Sequence, residues 1–293
     1  MKKTDLPSFV LWILFISTVL SCTDHLLPDP LPNRQRIKSL TQVLPETDGA
    51  TFVSSFAYNP QNQLEFIYSS PIPASIPGKR AITRYSYDSN KNISQVYRSF
   101  DDGVNEETYQ YTTGSFGQVS QLDYNGGGSD IYNMFFNFNG QQLNTSSRRF
   151  KFSSVSYIQD IVYHFTGLNL SSADYTTTVM RNVPATSSGT LAFTYDDKMN
   201  PFFGMPVIPA PNGPPRPTSG NFNYYTFSGG LDNLIYLNRN NVLSETSSSP
   251  SEKTYEYTYN SDGLPLTRIT KRKNTQQNQT VVEETLAFEY ETY

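Results

Sequence analysis

Along this chain, two aromatic residues repeatedly flank one small or polar residue: Phe56/Tyr58, Tyr85/Tyr87, Tyr109/Tyr111, Phe136/Phe138, Tyr163/Phe165, Phe193/Tyr195, Tyr225/Phe227, Tyr257/Tyr259 and Phe288/Tyr290. Alternation with period two puts both rings on one face of a strand and the middle residue (Ser86, Gln110, His164 or Thr258, for example) on the other. The second aromatics are separated by 29, 24, 27, 27, 30, 32, 32 and 31 residues. A period of this size means that one supersecondary unit is repeated along the chain.

Turn chemistry follows most pairs at once, as in Asn59-Pro60, Asp88-Ser89-Asn90, Asn139-Gly140, Thr166-Gly167 and Asn260-Ser261-Asp262-Gly263. Asn, Asp and Gly tolerate positive φ, and Pro presets the first turn position. An aliphatic residue then opens the returning strand: Leu64, Ile93, Val119, Leu143, Leu168 or Leu264. The unit is therefore strand, tight turn, strand, looser loop. The pattern predicts an all-β fold, an antiparallel meander of roughly 16–18 strands built from about eight hairpin repeats and curled into an open or barrel-like sheet.

Two segments break the repeat. Pro28, Pro30 and Pro32 make residues 22–35 a stiff extended tether. Residues 200–220 carry seven prolines between 201 and 217 and read as a loop, because proline cannot donate to a strand ladder. Val155, Ile158, Ile161 and Val162 have near-helical spacing but run directly into the Tyr163/Phe165 strand. One β domain is expected over residues 36–293.

The N-terminus reads as an address. Lys2 and Lys3 precede an apolar stretch over 9–20, too short for a dependable membrane helix, which ends in Val19-Leu20-Ser21-Cys22. Cys22 is the only cysteine in the chain, so no disulfide holds the fold. Val19-Leu20-Ser21-Cys22 resembles the lipobox of bacterial lipoproteins, which implies that residues 1–21 are a signal peptide and that Cys22 is lipidated and becomes the mature N-terminus. The repeat resembles the tyrosine–aspartate (YD) repeats of RHS-type proteins, best in Tyr85-Ser86-Tyr87-Asp88 and Tyr257-Thr258-Tyr259-Asn260-Ser261-Asp262-Gly263-Leu264. Together the two features look like Bacteroidetes lipoproteins of unknown function with degenerate YD-like repeats. That resemblance implies a porin-like antiparallel sheet curling on itself, but it carries over no catalytic residue.

A lipid-facing wall would need apolar residues of the same parity as the aromatics, a few positions upstream. Those positions instead hold Lys79, Asn105, Glu107, Asn221, Asn223, Lys253 and Glu284. A charge near mid-membrane on a lipid face costs about 2–4 kcal/mol, so the pattern argues against a membrane-spanning barrel.

Net charge is −4, with 16% charged residues and 14% aromatics, which points to no nucleic-acid partner. With His25 in the tether and His164 in a repeat as the only histidines, the chain lacks an ordinary zinc set or a Cys–His nucleophile, and no metal or cofactor is expected. Carboxylates at Asp101, Asp102, Glu106, Glu107, Asp196 and Asp197 sit where strand ends and turns favour them anyway, and Asp196, Asp197 and Asn200 lack any calcium-loop spacing. What remains is an aromatic and amide surface suited to stacking on a polymer. The reading is a lipid-anchored, non-enzymatic envelope protein of the outer membrane that binds a glycan or a partner protein, with Phe202 and Phe203 as candidate ligand-facing rings. A β-shell scaffold and a carboxylate-based hydrolase are the alternatives.

Overall fold

The computed structural model describes residues 35–45, 50–72, 80–101, 106–114, 117–125, 131–152, 155–203, 237–247 and 251–293. The expected signal peptide at 1–21, Cys22, nearly all of the expected tether, and residues 204–236 lie outside them. The first eight strands are β1 (Gln35–Leu44), β2 (Ala50–Tyr58), β3 (Leu64–Ile72), β4 (Ala81–Tyr87), β5 (Ile93–Phe100), β6 (Glu106–Thr113), β7 (Val119–Asn125) and β8 (Ile131–Asn139). The second eight are β9 (Gln142–Phe152), β10 (Val155–Thr166), β11 (Asn169–Met180), β12 (Ala185–Met199), β13 (Asn240–Ser247), β14 (Ser251–Tyr259), β15 (Pro265–Asn274) and β16 (Gln279–Thr292). Each pairs antiparallel with the next, and β1 closes on β16 from Gln35–Thr292 to Val43–Thr285. The meander is thus a closed sixteen-stranded barrel, and the near-helical stretch at 155–162 is strand throughout.

Eight aromatic pairs fall at or near the ends of the eight even-numbered strands, while Tyr225/Phe227 lies outside the described residues. The turns after them repeat one construction. Asn59, Asp88 and Asn260 each accept, on one side-chain oxygen, the backbone N–H groups two and four residues on. The positive-φ position falls three residues after each, at Asn62, Lys91 and Gly263. The shorter turns place Gly140 and Gly167 at φ 62°, as a two-residue hairpin loop with glycine first requires.

The second tyrosine of a pair also latches neighbouring strands. The hydroxyls of Tyr58, Tyr87 and Tyr290 donate to the backbone carbonyls of Ile37, Leu64 and Pro265 at 2.7–2.8 Å, each at or near the start of the preceding strand. Successive turns are joined by Gln63 to the Lys91 carbonyl, Gln118 to that of Gly140, and Gln142 to that of Gly167.

The aromatic parity points inward. Leu40, Val96, Leu122, Met134, Leu170 and Leu286 are fully buried and join the rings in one continuous core cluster. The interior at this level is therefore packed, where porins of this strand number leave a water-filled channel. Beside these layers lie charged and polar groups: Arg98 pairs with Glu107 at 3.3 Å, Arg268 with Glu284 at 2.6 Å, and Tyr163 bonds Ser146.

This inward facing corrects one step of the sequence argument. Glu107 and Glu284 share the aromatic parity and so sit inside the barrel, where they carry no information about lipid. The outward parity leads to the same conclusion through other residues. It carries Asp123 bonded to Asn133 and Gln121, His164 with Asp174 and Thr190, Thr194 with Ser244, Thr258 with Thr267, and Lys271 with Glu256. A wall of hydroxyls and charges on so many strands suits water, since each charge on a lipid face would cost about 2–4 kcal/mol.

Candidate functional site

One seam of the barrel departs from the repeat. In the regular copies the turn residue follows the second aromatic directly, as Asn59 follows Tyr58, but after Tyr195 the equivalent residue is Asn200. The surplus is taken up in β12, where Tyr195 pairs with Val242 and Met199 with Asn240, leaving Asp196, Asp197 and Lys198 opposite Asn241 alone. Asp196 stabilises this bulge: Oδ1 accepts the backbone N–H groups of Lys198 at 2.9 Å and Asn241 at 3.1 Å. Such bulges re-aim side chains and interrupt pairing.

The turn itself starts normally. Phe203 N–H donates to the Asn200 carbonyl and Asn200 N–H to that of Arg239, matching the Gly263–Asn260 and Asn260–Leu264 bonds of the turn between β14 and β15. In the regular turn the closing bond spans four residues; here it spans residues 200 to 239, so an insertion sits within a hairpin turn. Buried and half-buried asparagines anchor its ends: Asn238 Oδ1 accepts Leu170 N–H, Asn200 Nδ2 donates to the Asn238 carbonyl, and Asn169 and Asn240 bond each other.

On the far side of β13 the ladder to β14 holds only Ser244–Thr254, Glu245–Lys253 and Thr246–Glu252, although β13 reaches back to Asn240 and β14 runs on to Tyr259. The strands part at Leu243 and Tyr255, and a cleft of about 370 Å³ opens there. Tyr255, Tyr257 and Tyr259 line one wall, with Leu243 and the Asp196–Lys198 bulge opposite and Glu256 also lining it. The rings of Tyr257 and Tyr259 are nearly parallel, 5.9 Å apart with an interplanar angle of 18°. The Tyr259 hydroxyl donates to Asp196 across the seam, where the other latch tyrosines use a backbone carbonyl. Burial first, and then this bond to a carboxylate, hold the Tyr259 hydroxyl far above its usual pKa. Tyr257 also borders a cavity of about 10 Å³ beside Phe202 and Phe288, room for about one water.

The cleft has the groups for binding, and its carboxylates are engaged by protein partners. Asp196 has both oxygens engaged, and Asp197 is 84% exposed and paired with Lys198 at 3.2 Å. Glu256 pairs with Lys271 at 2.5 Å. A glycosidase works with a pair of carboxyl groups facing the bond to be cut, whereas each of these three is held by a protein donor. Parallel tyrosines flanked by hydrogen-bonding groups suit the faces and hydroxyls of a sugar chain.

The other sequence candidates are dispersed. Phe202 is 1% exposed and packs on Phe288 at 6.3 Å, so this ring, expected to face a ligand, is closed off as core; Phe203 is half-buried. His164 stands outward on β10, 2.8 Å from Asp174, whose other oxygen accepts Thr190. The Thr190 hydroxyl, then His164, lower the Asp174 pKa. Glu107 is inside, and Glu106 accepts the Tyr97 hydroxyl outside. Asp196 spends its oxygens on the bulge and on Tyr259, Asn200 spends its amide on the turn, and among the described residues no three His, Cys, Asp or Glu side chains converge as a metal site. Cys22 lies outside the described residues. Sequence reading missed the cleft, although the four residues between Tyr195 and Asn200 were a visible signal of irregularity.

No known protein family matches the chain, and neither does any curated protein sequence. Solved structures do. A porin-like protein from Bacteroides uniformis superposes with a TM-score of 0.53 at 13% identity, over 87% of this chain and 98% of that one. A porin-like protein from Bacteroides vulgatus gives 0.50 at 11% identity, over 88% of this chain and 100% of that one. At such identity the likeness is one of fold.

Proposed function

We propose that this protein is a lipid-anchored, non-enzymatic component of the bacterial outer envelope, and that it binds an extended glycan in the cleft between β13 and β14. The observation that carries the reading is the cleft itself, an opening in an otherwise closed wall where two parallel tyrosine rings meet hydrogen-bonding side chains. The polar outer wall and packed interior support a water-facing barrel over a lipid-spanning channel. The lipobox-like Val19-Leu20-Ser21-Cys22 supports attachment through Cys22. Fold likeness to the two Bacteroides proteins is compatible with an envelope location, carried here as part of the proposal.

The test uses the mature chain on a glycan array, followed by titration of the best ligand. Leu243→Trp, which fills the cleft from its exposed rim, should abolish binding without lowering the melting temperature. Tyr257→Ala should weaken binding about tenfold, the worth of one stacking contact. No ligand on the array, or turnover of a glycan that stops when Glu256 or Asp197 is removed, ends the reading. A structural role as a β-shell element is the second reading, favoured by the packed interior, and it predicts that Leu243→Trp changes no ligand binding.

A further inference from the structure

Apolar side chains such as Phe135, Val162 and Leu266 interrupt the polar outer wall on several strands, and on β3 to β5 they gather into a platform. Phe66 and Tyr68 project outward from β3, Ile82 and Arg84 from β4, and Tyr97 from β5, as their pairing shows: Phe66 opposite Arg84, Tyr68 opposite Ile82, Arg84 opposite Tyr97. Tyr68 is 46% and Ile82 47% exposed, so this apolar surface meets water. The Phe66 and Tyr68 rings are nearly parallel, at 22° with centroids 5.7 Å apart. Arg84 lies over the Phe66 ring at 5.3 Å and is exposed. Among the described residues its guanidinium has no ion-pair partner. The Tyr97 hydroxyl is held by Glu106, which fixes the edge of the platform.

We propose that this platform is a second binding site, for an acidic polysaccharide whose sugars carry carboxylates, as in a uronic acid polymer. The C–H face of a pyranose ring stacks on Tyr68 and Phe66, while its carboxylate accepts from the Arg84 guanidinium, a fork suited to planar anions. Stacking over Phe66 pre-orders Arg84, so little side-chain freedom is lost on binding. Charge complementarity selects the ligand: among the described residues Arg84 is the charge that lies over the Phe66 ring. The Glu106 carboxylate opposite Ser99 is taken up by the Tyr97 hydroxyl at the far edge, and Ser55, Ser70, Ser86 and Ser99 add neutral hydroxyls around the rings. A protein partner fits less well, because five side chains on three strands fall well short of the roughly 800 Å² per partner of a standard interface. The site stands on different strands from the cleft and does not depend on it.

The experiment titrates the mature chain with polygalacturonate, with its fully methyl-esterified form, and with polyglutamate. Saturable binding to polygalacturonate is expected, at least about tenfold tighter than to the ester or to polyglutamate. Arg84→Gln should lose that preference, and Tyr68→Ala should weaken polygalacturonate binding about tenfold, both with unchanged melting temperature since both side chains are exposed. Leu243→Trp at the cleft should leave this binding intact, which separates the two sites. Absence of polygalacturonate binding overturns the proposal. So does equal binding of the ester, which removes the carboxylate from recognition, or of polyglutamate, which leaves charge alone. Binding unchanged in Arg84→Gln places the ligand elsewhere and overturns it as well.

Discussion

Tyr85 and Tyr87 stand two residues apart on the inner face of β4, and removing their hydroxyls should have opposite effects. The Tyr87 hydroxyl donates to the Leu64 carbonyl at 2.7 Å and ties β4 to the start of β3. Tyr87→Phe removes one intramolecular hydrogen bond, at a cost of about 0.5–1.5 kcal/mol. The Tyr85 hydroxyl is buried and has no hydrogen-bond partner among the described residues. An unsatisfied buried hydroxyl carries a desolvation penalty of about 1–3 kcal/mol, which Tyr85→Phe relieves while keeping the ring. A domain of this size shifts its melting temperature by roughly 2 °C per kcal/mol. Tyr87→Phe should therefore melt about 1–3 °C lower and Tyr85→Phe about 2–6 °C higher, read by far-UV circular dichroism on heating. Urea titration checks that the slope is unchanged, so that the shift reports stability. Tyr58→Phe and Tyr290→Phe should repeat the Tyr87 result, since their hydroxyls make the same bond to Ile37 and Pro265. A fall in melting temperature for Tyr85→Phe comparable to that of Tyr87→Phe would refute the reasoning.

Phe202→Ala should destabilise by about 3–5 kcal/mol, because the ring is fully buried against Phe288; a wild-type melting curve would return Phe202 to the list of ligand-facing rings. Glu107→Ala leaves the buried Arg98 charge without its partner carboxylate and should cost about 3–5 kcal/mol in urea unfolding, with Arg98→Met plus Glu107→Leu recovering most of it; a single variant as stable as the parent contradicts the pairing. High pH should unfold the barrel. Burial raises the hydroxyls of Tyr58, Tyr85 and Tyr290, and pushes those of Tyr87 and Tyr163 up to about 12. Because the folded state holds these protons more tightly, their contribution is complete below about pH 10, the value for an unfolded tyrosine, and is lost as pH rises towards about 12. Tyrosinate absorbance should rise together with loss of the β signal, and a gradual titration with the sheet intact would contradict this.

The aromatic–x–aromatic repeat determined the all-β class, the approximate strand number and the tight turns by local physics. Period-two alternation fixes which side chains share a face, and Asn59, Asp88, Asn260 and Gly263 satisfy or permit a turn through contacts within four residues. Sequence could not decide whether the rings faced core, lipid or ligand, since alternation separates two faces without saying which one is enclosed. Pairing of β1 with β16, more than two hundred residues away, made that choice by closing the sheet with the rings inside. The same closure turned Phe202 from an exposed candidate into core and moved Glu107 from a supposed outer position to an ion pair inside. Tertiary structure alone also made the cleft, because Asp196 and Tyr259 meet across strands that the sequence separates by 63 residues. The outer platform is equally non-local: Phe66, Arg84 and Tyr97 are ordinary strand residues until register sets them side by side. Local chemistry shapes each hairpin, and only the register between hairpins decides which side chains become neighbours.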